Sequence, residues 1–337
     1  MPRKPARKSK SLRKFMPILL VIVSALFLGG LSFYKSINRP FASADSSTSF
    51  DINNSELSTL LLVTVENLNE ETLKTMQLDF LIFDKNDNKV VSFDIPLDWN
   101  VDIPGRYAEN TLSKVFPIAM MNAEDSKEAA EVLKNTIKKE FAFNVDRYIL
   151  MDQTISSSLI DTLKYGKSGG LVSFKNLSEF AFAMESDASL SEFYSFYSFV
   201  NGLPSDRFTN YSESAEVLNE SELIPNVLRE LTFDSVVSEE AKSVAVLNGT
   251  DTPGLASFSA TVLKNYGAHV AEVGNISGNY EKTILITSSM DYEIVKQIQR
   301  YFNIEEIVLK ENFEGTEFAV DKADVSVIIG LDTAQSL

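Results

Sequence analysis

The side chains of this chain best suited to chemistry are concentrated in one stretch, Phe93 to Arg106 (FDIPLDWNVDIPGR), which holds three carboxylates, the only tryptophan, two prolines and an arginine. Asp94, Asp98 and Asp102 recur at every fourth position. A pair such as Asp94 and Asp98 on a loop can bind Mg²⁺, which prefers oxygen ligands and shares them with a phosphate. The plainer alternative is that aspartates in turns bond nearby backbone amides.

Two further candidates compete with simpler readings. The run Asn248-Gly249-Thr250-Asp251-Thr252-Pro253-Gly254 lies between a strand pattern and a helix pattern, where backbone amides can receive an anion. It lacks the lysine of a phosphate-binding P-loop and the three-glycine dinucleotide spacing, which favours a tight turn. His269 is the only histidine, and with no cysteine in the chain it cannot build a multi-ligand zinc site. No Gly-x-Ser-x-Gly elbow accompanies it, so it reads as structural or surface.

The elements that must position the acidic stretch follow from apolar patterning. Leu60 to Val65, Leu78 to Phe83 and Val90 to Ile95 read as strands, the last two joined by a turn at Lys85 to Lys89. Glu124 to Phe141 carries one apolar face at helical spacing, Tyr148 to Met151 reads as a strand and Ile155 to Leu163 as a short helix. Leu190, Phe193, Tyr194, Tyr197 and Val200 form an aromatic stripe whose commoner explanation is burial rather than sugar or lipid binding. Residues 205–240 are acidic and irregular and read as a domain tail plus linker. From Lys242 the order strand, helix, strand, strand, helix, strand, with one extra short strand, predicts a small βαββαβ-type α/β domain.

Ahead of all this, residues 1–14 are strongly basic and Phe15 to Tyr34 runs without a charge. Twenty residues at helical rise cross a bilayer core of roughly 30 Å. The basic flank belongs in the cytoplasm, which places the bulk of the chain outside. A cleavable signal ending near Ala42-Ser43-Ala44 competes, but Lys35 and Arg39 intervene and the apolar run exceeds a usual signal core. The expected organisation is a cytoplasmic basic tail (1–14), a transmembrane helix (15–34), a polar linker (35–56), a first domain (57–240) and a C-terminal domain (241–332). From residue 40 onward the chain has 22 basic against 47 acidic residues. That balance argues against nucleic acid as a partner, since phosphate-backbone binding depends on Lys and Arg clusters.

Two segments carry a family resemblance. Ser58 to Val65 (STLLLVTV), Val91 to Gly105 (VSFDIPLDWNVDIPG) and Phe143 to Tyr148 (FNVDRY) resemble motifs of the LytR-CpsA-Psr catalytic domain. Val244 to Thr250 (VAVLNGT), Gly254-Leu255-Ala256 and Ala323 to Gly330 (ADVSVIIG) resemble the LytR C-terminal domain, over residues 242–332. The resemblance implies an α-β-α layered first domain in an outward-facing, membrane-anchored envelope protein. It also implies transfer of glycopolymers from polyprenyl pyrophosphate carriers to peptidoglycan with Mg²⁺. Asp98 matches a functional position, but the motif arginine is Leu97 and the first-strand aspartate position is Ser58. Between Gly166 and Lys242 the only arginines are Arg207 and Arg229. Leucine neither donates a hydrogen bond nor balances a phosphate charge.

The expectation is therefore a degenerate domain without its cofactor, acting as a binding or assembly module for a cell-wall polymer, a polyprenyl-linked glycopolymer or other envelope proteins. The alternative is an active phosphotransferase with Asp98 and Arg106 as catalytic groups and Asp94 and Asp98 on Mg²⁺. A third reading is an anchored structural protein whose C-terminal domain binds another protein.

Overall fold

The computed structural model describes residues 55–68, 73–105, 107–166, 184–212, 223–304, 306–313 and 318–337. The expected membrane span at 15–34 and Arg106 lie outside the described residues. Among the described residues no helix is long and apolar enough to cross a membrane.

Strands β1 (Leu57–Val65), β2 (Thr75–Asp84) and β3 (Lys89–Ile95) run antiparallel in succession, with Asn88 in the left-handed region closing the β2–β3 turn. A two-stranded ribbon, β4 (Asn100–Val101) and β5 (Asn110–Thr111), follows Asp98 and leads into α1 (Leu112–Met120). Next comes α2 (Ser126–Phe141), capped by Asp125, whose carboxylate accepts the Glu128 amide at 2.9 Å, and closed by left-handed Ala142. Strand β6 (Arg147–Asp152) pairs parallel to β1 and runs into α3 (Gln153–Tyr165), whose first amides Asp152 caps. The first domain continues with β7 (Met184–Ser186), α4 (Leu190–Asn201) and β8 (Phe208–Tyr211). The sheet order is β7-β6-β1-β2-β3-β8.

This sheet is covered on both faces, which explains why its strands are apolar almost throughout. Leu61, Phe80 and Phe93 face α1 and α2 together with Leu112, Phe116, Leu133 and Ile137. Leu60, Leu62, Leu81 and Phe83 face α3 and α4 together with Leu163, Phe193 and Phe196. The aromatic stripe is rotated from its expected position. Tyr194 is 56% exposed, and Phe196 instead packs on Phe83 with ring centroids 4.5 Å apart.

The described parts of 205–240 carry regular structure that their composition does not suggest. Besides β8, which pairs parallel to β3, they contain α5 (Leu223–Thr232) and α6 (Ser235–Glu240). Val237 of α6 belongs to the C-terminal core. The second sheet comprises β9 (Ser243–Asn248), β10 (His269–Asn275), β11 (Ile284–Thr287), β12 (Ile307–Leu309) and β13 (Val325–Ile329), in the order β10-β9-β13-β11-β12. Helices α7 (Leu255–Asn265) and α8 (Glu293–Phe302) cover one face, and α9 (Phe318–Lys322) precedes β13 on the other side. A last helix, α10 (Leu331–Ser336), follows β13.

The two sheets meet through charged contacts. Arg300 of α8 grips Asp146 through Nη2 at 2.6 Å and Nε at 3.1 Å, and Nη2 also reaches the Leu57 carbonyl at 2.9 Å. Asp146 additionally accepts the Thr59 amide at 2.8 Å and the Thr59 hydroxyl at 3.0 Å.

Candidate functional site

The alternation of β3 decides where the acidic stretch can act. Phe93 and Ile95 face α1 and α2, so Asp94 points to the opposite face, beneath α3. Its direct cross-strand partner is Asp79 of β2, which is fully buried. Two carboxylates placed this way repel each other unless a cation lies between them. Lys164, near the C-terminus of α3, supplies it. Its ammonium donates to Asp79 at 2.7 Å and to Asp94, and the lysine side chain is 2% exposed. Gln77 adds a bond to the same Asp79 oxygen at 3.2 Å, while the other carboxylate oxygen of Asp79 has no partner.

Burial is the dominant influence on Asp79. It pushes the carboxyl up to about 6, outweighing the lowering effect of Lys164, and the nearby Asp94 adds to the rise. Lys164 is held above the ordinary lysine range because its two carboxylate partners together exceed the effect of desolvation.

The other residues of the stretch diverge from this cluster. Leu97 is half-buried and packs against the first core. Asp98 is exposed on the turn that follows β3, and Trp99 is buried with its ring 5.7 Å from Phe141. Asp102 pairs with Lys139 of α2 at 2.7 Å. Thus the three aspartates at intervals of four do not converge. Of the two candidate Mg²⁺ ligands, Asp94 is paired with the Lys164 ammonium and Asp98 stands exposed on the turn, while Asp102 bridges to Lys139 at the surface. No cluster of three or more metal-ligating side chains occurs among the described residues. Ser58 faces the same side of the sheet as Asp94 but pairs with Phe83, four residues along β1 from Leu62, which lies opposite Asp79. That separation is roughly 13 Å at strand rise.

Asp79 and Lys164 had a weak signature in the sequence. A charged residue inside the apolar run Leu78 to Phe83 requires a buried partner, but nothing local indicates that the partner lies 85 positions later.

The turn at Asn248 is closed on itself. Asn248 accepts the Thr250 amide at 3.0 Å and donates to the Thr252 carbonyl at 2.7 Å, and the Thr250 hydroxyl accepts the Thr252 amide at 3.1 Å. These amides are used within the turn, as the tight-turn reading expects. Gly249 is required there, because a Cβ would lie 2.6 Å from the Tyr280 ring. His269 is exposed at the start of β10.

The C-terminal sheet, with β9 and its turn leading into α7, can now be set beside known families. Residues 242–332 match the family model described as LytR cell envelope-related transcriptional attenuator. This region is a LytR C-terminal domain. No curated protein matches the chain. Among solved structures, Bacillus subtilis TagV is 11% identical with a TM-score of 0.39, covering 52% of this chain and 97% of its own. The Bacillus subtilis transcriptional regulator yvhJ is 11% identical with a TM-score of 0.37, covering 52% and 97%. Bacillus subtilis TagT is 12% identical with a TM-score of 0.32, covering 53% and 86%. Overlaps this loose carry no argument about the first domain. The LytR C-terminal domain therefore stands on its own match, and the chemistry of the first domain stands on its residues.

Proposed function

We propose that this is a membrane-anchored, outward-facing envelope protein whose first domain is a non-catalytic binding or assembly module in cell-wall glycopolymer metabolism. The reading is supported by the LytR C-terminal domain, whose family description is cell envelope-related, and by the charge-free stretch Phe15 to Tyr34 behind a basic tail. The observation that carries the non-catalytic part is the Asp79–Lys164–Asp94 cluster. The only acidic side chain of the stretch that turns into the domain is spent on a structural ion pair. Leu97, beside it, packs on the core where a phosphate-holding arginine would be expected.

The exposure of Asp98 keeps one alternative concrete: a phosphotransferase using Asp98 and Arg106, with Asp94 as a further acid. The full chain in detergent micelles, supplied with Mg²⁺ and a polyprenyl pyrophosphate-linked glycan, separates the two. The proposal expects glycan binding without pyrophosphate-lipid turnover. Turnover that disappears in Asp98→Ala would establish the transferase instead. Absence of any retained lipid or polymer would leave an anchored protein-binding role. Membrane attachment is tested by fractionation, where deletion of residues 15–34 should release the protein from the membrane fraction.

A further inference from the structure

Between the two sheets lies an open, polar cleft of about 290 Å³. Its walls come from α2, from the approach to β6, and from α8 and α10 of the LytR C-terminal domain. Interfaces that hold two domains together permanently tend to be apolar and closely packed, whereas ligand sites are found preferentially at domain junctions. This junction is lined by amides and hydroxyls, among them Asn135, Gln299, Asn303, Thr333 and Ser336, interspersed with charges.

The charges are unevenly satisfied. Lys134 pairs with Asp187 at 3.0 Å, and Arg300 pairs with Asp146 at 2.6 Å. Lys138, one helical turn along α2 from Lys134, is different. Its ammonium donates to the Tyr301 carbonyl and lies 4.4 Å from the centre of the Tyr301 ring. Among the described residues it forms no ion pair. A carbonyl and a ring face stabilise a cation only in part, and a desolvated ammonium without a counter-charge is costly. Burial accordingly pushes Lys138 down to about 7, with Lys134 adding like-charge repulsion and Glu131 and Asp146 opposing it. A chain of formal charge −16 has thus placed at the wall of its polar cleft a lysine that, among the described residues, forms no ion pair, although Glu131, Asp146 and Asp332 also line the cleft.

We infer that the interdomain cleft is a binding site for a small polyhydroxylated anion, of the size of one phosphorylated or uronic sugar unit, with Lys138 as the counter-charge to its acidic group. The neighbouring amides and hydroxyls match the donors and acceptors of sugar hydroxyls, and neither sheet completes the site alone. The inference rests on the proposed glycopolymer role and assigns that role a place in the molecule.

The test is a titration of the full chain in detergent micelles, with selectively labelled lysines observed by NMR and N-acetylglucosamine 1-phosphate as the probe. Glucuronate, inorganic phosphate and neutral N-acetylglucosamine are run alongside. The inference expects the Lys138 signal to titrate near neutrality and to move to higher pH when the sugar phosphate binds. It expects glucuronate to act similarly and the neutral sugar to bind more weakly by about tenfold or more. Lys138→Met should weaken binding by a similar factor, Lys138→Arg should retain part of it, and Asn135→Phe, which fills the cleft, should abolish it. Each variant is accepted only with an unchanged far-UV spectrum. Equal response to inorganic phosphate would mean a bare anion site and would overturn the sugar assignment. Binding that shifts other lysines and is unaffected by Lys138→Met would overturn the cleft while leaving the glycopolymer role intact. No binding by any probe, with polymer still retained by the full chain, would likewise overturn the cleft alone. Loss of both would remove the role as well.

Discussion

Lys164 separates two carboxylates that face each other across β2 and β3. Lys164→Met leaves Asp79 buried without a cation and should cost about 3–5 kcal/mol near pH 8, read from urea midpoints. The loss should shrink near pH 5, where Asp79 takes up a proton. Asp79→Asn behaves differently. The folded carboxyl sits at about 6 against an ordinary 3.8, so its proton stabilises the fold fully below the ordinary value, and this stabilisation is lost as pH rises through 6. Relative to the native protein, Asp79→Asn should therefore gain stability between about pH 4 and pH 7, on the order of 2–3 kcal/mol. A pH-independent difference between the two proteins would mean that Lys164 fully compensates Asp79. The acidic stretch itself was visible in the sequence, and so was the leucine at position 97 in its midst. That Asp94 turns inward while Asp98 stays in solvent depends on which face of the sheet α3 covers, a long-range fact that residue spacing does not contain.

At the scale of elements, the strongly periodic segments were readable and the short or interrupted ones were not. Helix α2 follows from its apolar face, its Asp125 cap and the lysines in its last turn. Helix α1 is masked in the sequence by Pro117, which lies inside it, since proline removes a backbone donor and normally ends a helix. It persists because Leu112, Val115, Phe116 and Ala119 are all buried. Strand β8 (FTNY) has too little apolar pattern to be recognised and is held by pairing with β3, including a 2.8 Å bond from Ser92 to Asn210. Packing between elements also sets a strict limit at Gly330, after β13. A Cβ there would lie 2.4 Å from the Lys282 backbone carbon and 2.7 Å from the Thr283 amide. Backbone cannot rotate away as a side chain can, so Gly330→Ala should cost about 1–3 kcal/mol and lower the Tm. An unchanged Tm would show that β11 and β13 can separate slightly without penalty.

For the whole molecule, the decisive contact is the grip of Arg300 on Asp146 and the Leu57 carbonyl, which joins the LytR C-terminal domain to the strand that begins the first sheet. Arg300→Leu removes the cation from a buried carboxylate, at a cost of about 3–5 kcal/mol. It should also uncouple the domains. The only tryptophan, Trp99, lies in the first core, so its fluorescence reports that domain alone, whereas far-UV circular dichroism reports both. In the native chain the two urea curves should coincide, and in Arg300→Leu they should separate. Coincident curves in the variant would show that other contacts suffice to couple the sheets.

The sequence by itself determined what is local or periodic: a charge-free stretch behind a basic tail, the βαββαβ order from Lys242, the absence of cysteine and the run of carboxylates around Leu97. Apolar spacing and turn residues act over a few positions, so these features need no knowledge of the rest of the chain. Only the tertiary structure decided which charges meet. Asp79 with Lys164, Asp146 with Arg300, and Lys138 with the Tyr301 carbonyl and ring all join residues far apart in sequence. The energy of a charge is set by its surroundings in space, by burial and by partners a few ångströms away. The same aspartates that suggested a metal site along the chain are separated by the fold into a half-buried partner of Lys164, a surface bridge to Lys139 and one exposed carboxylate.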